Sequence, residues 1–415
     1  MIHIHSQHNL AGKVRGLCLL LFLLIPAFLS AANTCFRSGP YLQELSHDGV
    51  TVVFENDIPT FAWVELRKKG ISAATKYYQD IEGQHQIYDH IQAPSVSLPV
   101  QNFRVRIDSL ENKTTYEYRI CSQKIDQMKP YSAKISTQYE SDWYEFTTLD
   151  AAASEHHLIV LSDMLGRTET LEKFLNVMDY KTANHIIYAG DIMENMQVAA
   201  PSGNAAKSEE PYASFINSSI RLFATRQDFN MLRGDHETKG DAADYFPIFF
   251  PHQSGKNYNA YRWGDLEVVM LDGGEALPDD DPTNYTTILA AYNEYRKEEA
   301  RWLEQLIQTP EYKSARYRIV ISHLPIPFTS EDATMGGAKH FADLMTPILN
   351  TADVDLLVCG HLQPQTYELL EPTEDAHFPT LVQGYNSALR MDIQNGKIAL
   401  RVLNADGKML LNKEL

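Results

Sequence analysis

Phe229-Asn230-Met231-Leu232-Arg233-Gly234-Asp235-His236-Glu237 is the stretch that decides the fold. A run of strand length leads straight into a Gly-Asp-His-Glu cluster. The glycine permits a sharp turn, and the three polar residues can hold a cation or move a proton. Four other strands end the same way. His157 to Ser162 runs into Ser162-Asp163-Met164-Leu165-Gly166-Arg167, and His185 to Ala189 into Gly190-Asp191. Tyr317 to Ser322 runs into His323-Leu324-Pro325, and Asp355 to Cys359 into Gly360-His361-Leu362-Gln363. A further strand is read at Leu266 to Leu271.

Between these strands the apolar spacing turns helical. Leu171, Phe174, Leu175 and Met178 share one face of Thr168 to Met178, and Tyr212 to Ala224, Glu294 to Ile307 and Gly337 to Leu349 read as further helices. Alternating strands and helices predict an α/β domain over about 155–415, closed by strand-rich sequence from Thr380 to Leu411 with a hairpin turn at Ala405-Asp406-Gly407-Lys408. Ligands of α/β sheets gather beyond the carboxyl ends of the strands, so the five clusters can converge on one point.

Upstream of Asp150 the pattern differs. Val50 to Glu55, Phe61 to Arg67, Phe103 to Ile107 and Thr115 to Cys121 are rich in β-branched and aromatic residues and are separated by polar turns. They predict an all-β sandwich over 36–148. That region has no cluster of metal-binding or nucleophilic residues, which points to a structural or substrate-screening role. Gln197 to Pro211 is small, polar and acidic, and reads as a mobile loop.

At the N-terminus, Lys13 and Arg15 precede an apolar run from Leu17 to Leu29, followed by Ser30-Ala31-Ala32. This predicts a secretory signal over residues 1–32 and a secreted or periplasmic protein without a membrane anchor after cleavage. Cleavage would take the formal net charge from −18 to −20, since Lys13 and Arg15 are the only charged residues removed. A field of that sign repels nucleic acid. A small phosphorylated substrate would need local positive charge, most simply from a metal. Of the four cysteines, Cys18 lies in the signal and Cys359 in an apolar run. Cys35 and Cys121 are expected to pair in an oxidising compartment.

The order of clusters resembles the calcineurin-like metallophosphoesterases, whose motifs run Asp-x-His, Gly-Asp, Gly-Asn-His-Glu, a lone His and Gly-His-x-His. The resemblance spans nearly all of the mature chain. Gly39-Pro40-Tyr41-Leu42-Gln43, with Leu110 to Tyr116 as a tyrosine corner, is similar to the fibronectin-III-like domain that precedes the core in purple-acid-phosphatase-type proteins. The resemblance implies a core of mixed β-sheets flanked by helices. It also implies a metal-dependent hydrolase of phosphoric esters.

By position, one family metal would take Asp163, Leu165, Asp191 and Gln363. Leu165 cannot ligate, and Gln363 offers only a neutral amide oxygen. Glu194 stands where purple acid phosphatases place a tyrosine ligand. The other metal would take Asp191, Asp235, His323 and His361, with Asp235 in place of the family's asparagine. His236 is implied to protonate or stabilise the leaving oxygen, and Glu237 to support the site from behind.

Two carboxylates and two imidazoles suit Zn, Mn or Fe(II). The expectation is therefore one divalent metal per chain and hydrolysis of a small phosphomonoester or phosphodiester. Restoring Leu165→His, Asp235→Asn and Gln363→His is expected to raise metal content and activity. The rival expectation is a catalytically impaired relative that binds a ligand or a protein partner.

Overall fold

The computed structural model describes residues 35–81, 84–85, 89–93, 96–196, 211–240, 242–282, 289–327 and 335–415. The expected signal over residues 1–32, and all of the expected mobile loop Gln197 to Pro211 except Pro211, lie outside the described residues. Residues Cys35–Leu415 pack as one compact unit.

From His156 onward, two six-stranded sheets lie face to face. The first has the order Asn230–Leu232, His185–Ala189, His156–Leu161, Ala388–Gln394, Lys397–Leu403 and Met409–Glu414. The second has the order Asn259–Trp263, Leu266–Leu271, Tyr317–Ser322, Leu356–Cys359, Thr380–Gln383 and Tyr367–Leu370. The strands that carry the motifs pair parallel within each sheet.

Side-chain alternation builds the layers. Leu158, Val160 and Ile187 of the first sheet meet Val268, Ile319 and Val358 of the second in a shared core. Ile159, Leu161 and Ile186 point the other way, against Leu171, Phe174 and Leu175 of the helix Thr168–Val177. Val269, Leu271 and Val320 likewise meet the helices Tyr292–Leu306 and Gly336–Leu349. Strands covered on both faces read as unbroken apolar runs, which is how they stood out in the sequence.

Residues 36–147 form antiparallel sheets around Leu42, Phe54, Val64, Phe103, Tyr118 and Phe146. The hydroxyl of Tyr116 accepts from Glu111 N at 2.9 Å and ties the start of its strand back to the preceding turn. Sequence reading stopped the strand Thr115–Lys129 too early and missed its hairpin partner Ser132–Glu140. That partner is exposed along nearly its whole length, so it carries no apolar alternation to read.

The expected Cys35–Cys121 disulfide is not formed; both are buried free thiols. Strand alternation explains why. The Cys35 thiol hydrogen-bonds to Ser122, whereas Cys121 shares the opposite face of the strand with Arg119, beside Glu65 and Glu140. Cys359 is a buried thiol, as its apolar surroundings suggested.

Buried hydrogen bonds join the all-β region to the core. Tyr41 Oη donates to Phe249 O at 2.9 Å, Gln43 Nε2 to Phe229 O at 2.9 Å and Tyr118 Oη to Thr225 O at 2.9 Å. Leu45 N donates to Asp228 Oδ2 at 3.0 Å. Burial pushes the Asp228 carboxyl up to about 7, partly offset by that amide. Its folded value thus lies above the unfolded one of about 3.9. The folded state keeps a proton that the unfolded chain gives up in between, so this contribution is full below about pH 4 and lost as pH rises through 7. Asp228→Asn keeps an acceptor for Leu45 N and should flatten that loss. Thermal melts between about pH 5 and pH 8 check it, and an unchanged slope would contradict the assignment.

Candidate metal centre

The polar clusters do converge. Asp163 and Asp191 follow the parallel strands His156–Leu161 and His185–Ala189, and Asp235 follows Asn230–Leu232. His323 and His361 arrive from the second sheet, after Tyr317–Ser322 and Leu356–Cys359. Both sheets thus deliver side chains to one end of the sandwich.

The connecting backbone is shaped for this. Asp163, Asp191 and His361 have φ of 58°, 52° and 65°. The left-handed region costs a non-glycine residue roughly 1–3 kcal/mol, which the surrounding structure must offset. Two glycines make room. A Cβ on Gly190, itself at φ 84°, would lie 2.5 Å from His323 Cγ, and one on Gly234 would lie 2.2 Å from Asp191 Oδ1.

One ligand atom each from Asp191, Asp235, His323 and His361 falls within 4.8 Å of the others. His323 Nε2 lies 3.2 Å from Asp191 Oδ1 and 3.4 Å from Asp235 Oδ1, and His361 Nδ1 lies 2.9 Å from Asp235 Oδ1. Ligands at about 2.0–2.2 Å from a tetrahedral ion stand roughly 3.3–3.6 Å apart, so these separations are close to those of a metal centre.

The tautomers agree. His323 Nδ1 is 3.0 Å from Ala189 O, which can only accept, so Nδ1 carries a hydrogen and Nε2 is the ring atom that faces the two carboxylates. Nε2 has no hydrogen-bond partner although buried, and neither has Asp163 Oδ1. A cation between these groups would satisfy them; the donor set fits a divalent metal.

The electrostatics point the same way. Burial raises the Asp163 carboxyl, with a further push from the Asp191 charge. Burial acts against Asp235 too, but the His323 and His361 rings outweigh it and hold that carboxyl well below the usual range. Burial would lower the His323 imidazole, yet Asp191, Asp235 and Asp163 together raise it well above its ordinary value.

The surrounding residues hold these side chains in place. Glu237 Oε2 accepts from Asp191 N at 2.9 Å and Gly234 N at 2.7 Å, and Oε1 accepts from Met193 N at 2.9 Å. Burial and the Asp191 charge push Glu237 up to about 7. His236 N donates to Asp191 Oδ1 at 3.0 Å, its Nδ1 meets Glu194 O at 2.7 Å, and its Nε2 stands 3.8 Å from Asp191 Oδ2.

The other residues picked out from the sequence are placed differently. Asp163 lies outside the four-residue group; its Oδ2 accepts from Ser162 Oγ at 2.8 Å and His361 N at 3.2 Å. Leu165 is half-buried, while Gln363 and Glu194 are exposed. Arg167 is occupied with backbone, its Nη2 donating to Asp163 O and Tyr385 O, both at 2.8 Å. Asp272, directly after the strand Leu266–Leu271, is fully buried, bound to Arg233 Nη2 and Tyr295 Oη, both at 2.7 Å.

Sequence reading missed Lys239. Its Nζ stands 2.5 Å from Asp235 Oδ2 and 3.8 Å from Glu275 Oε1. The four-residue spacing from Asp235 was the available signal.

No curated protein matches the chain. Among solved structures, the purple acid phosphatase PPD1 from yellow lupin (Lupinus luteus) is similar, with a TM-score of 0.67, 12% identity, and coverage of 90% of this chain and 73% of that one. TT1561 of Thermus thermophilus has a TM-score of 0.34 and 16% identity, with 63% of this chain and 98% of that one covered. The lupin likeness shows the fold. The model of the calcineurin-like phosphoesterases matches residues 156–365, half of the chain and all five motif strands. The chain therefore belongs to the calcineurin-like phosphoesterase family.

Proposed function

We propose that the protein is a hydrolase of small phosphomonoesters or phosphodiesters that works with one divalent transition metal, Zn, Mn or Fe. The observation that carries this reading is the convergence of Asp191, Asp235, His323 and His361. Those four would hold the ion, which supplies Lewis acidity to the phosphoryl oxygens and acidifies a bound water.

The chain's own residues do the rest. Glu237 fixes the turns that carry Asp191 and Asp235 through three backbone amides. Glu194 O anchors the Nδ1 hydrogen of His236 and leaves Nε2 toward the open side, next to Asp191. A proton carried at Nε2 is the one given to the leaving oxygen. Arg167 braces the Asp163 loop against the Tyr385 loop.

We also propose that the enzyme works outside the cytoplasm, on the strength of the Leu17–Leu29 run and Ser30-Ala31-Ala32, and that its negative charge keeps nucleic acid away. A second reading, ligand or partner binding without turnover, is favoured by Leu165 and by the exposure of Gln363. Hydrolysis of an aryl phosphate and a bis-aryl phosphate separates the two. Turnover that disappears with a chelator and returns with one equivalent of Mn(II) is expected. Stoichiometric Mn(II) binding without turnover of either ester would favour the second reading.

A further inference from the structure

Asp235 stands where the family pattern has asparagine, and the structure shows how the extra charge is accommodated. Its two oxygens face different partners. Oδ1 points at His361 Nδ1 and His323 Nε2, 2.9 Å and 3.4 Å away, and Oδ2 points at Lys239 Nζ, 2.5 Å away. A short turn over His236–Thr238 sets this separation, closed by Thr238 Oγ1 donating to Asp235 O at 2.7 Å. Lys239 O is itself fixed by Met196 N at 2.7 Å. Beyond the ammonium lies Glu275, buried, its Oε2 3.4 Å from Thr238 Oγ1.

An asparagine at this point would present one oxygen, carry no charge and have its second position blocked by its own NH2. The pair of Asp235 and Lys239 has the same three properties: one oxygen open toward the imidazoles, no net charge, and the other oxygen capped by a donor. We propose that Lys239 is a positioning residue that makes Asp235 a one-oxygen, charge-compensated metal ligand, so that the two residues work as a replacement for one amide. The inference rests on the metal reading above. It also revises an expectation from the sequence: Asp235→Asn is not a restoration while Lys239 remains. The ammonium would draw the amide oxygen to itself and turn the NH2 toward the imidazoles.

The test is Mn(II) binding to metal-free full-length protein, by calorimetry and by the Mn(II) paramagnetic resonance signal, without reference to turnover. Asp235→Asn should weaken binding about a hundredfold. Lys239→Met alone should tighten it about tenfold, because a cation beside the site is removed. Asp235→Asn with Lys239→Met should recover to within about tenfold of the native protein. Lys239→Arg, which keeps the charge and a donor and guards against misfolding of the Met variant, should bind like the native protein. Failure of Lys239→Met to rescue Asp235→Asn, in proteins with native circular dichroism, would overturn the pairing while leaving the metal reading intact. Native protein that binds no Mn(II) would overturn both.

Discussion

His323→Ala is expected to abolish turnover, by at least about a thousandfold, and to strip the metal with it. No other residue among those described can take its place. The ring comes from the second sheet, is 1% exposed, and is held by the bond from Nδ1 to Ala189 O, so Nε2 alone faces Asp191 and Asp235. Alanine would leave these two carboxylates opposed in a buried space without the imidazole between them. His361→Ala should act in the same direction from the other side of Asp235. Assay and elemental analysis of the same preparation check both. A His323→Ala protein that keeps its metal and turns over at the native rate would sink the assignment.

His236→Ala should separate chemistry from metal binding. The ring is about one-third exposed, and its Nε2 lies 3.8 Å from Asp191 Oδ2, outside the four-residue group. Loss of a positioned acid costs about 10²–10⁴ in kcat. Metal content should be unchanged, because the contact that holds Asp191 comes from the His236 backbone N, which alanine retains. The loss should also be smaller for an ester whose leaving group needs no proton. A His236→Ala protein without metal would show instead that the ring supports the centre.

The five motif positions were legible because each follows an apolar strand, and the strands are apolar because both of their faces are covered, as Leu158 and Ile159 show on opposite sides of one strand. The convergence of these clusters was legible for the same reason: strand ends in parallel order leave little freedom over where Asp191, His323 and His361 emerge. What depended on side-chain direction was not legible. The Cys35 thiol meets Ser122, the sequence neighbour of Cys121, while the Cys121 side chain itself lies on the strand's other face. Asp272 and Arg167 look like pocket residues by position, but one is committed to Arg233 and Tyr295 and the other to backbone carbonyls. Lys239 follows Asp235 by four residues across a turn that the sequence does not announce, and it changes what Asp235 can do.

The proposed centre is a single cation held by Asp191, Asp235, His323 and His361, the Leu165 and Gln363 side offering too few donors for a second. Elemental analysis of the purified native protein, after dialysis against metal-free buffer, tests this most directly. The prediction is about one equivalent of a divalent transition metal per chain, lost in His323→Ala. Two full equivalents, or none even after exposure to Zn(II), Mn(II) and Fe(II), would contradict it.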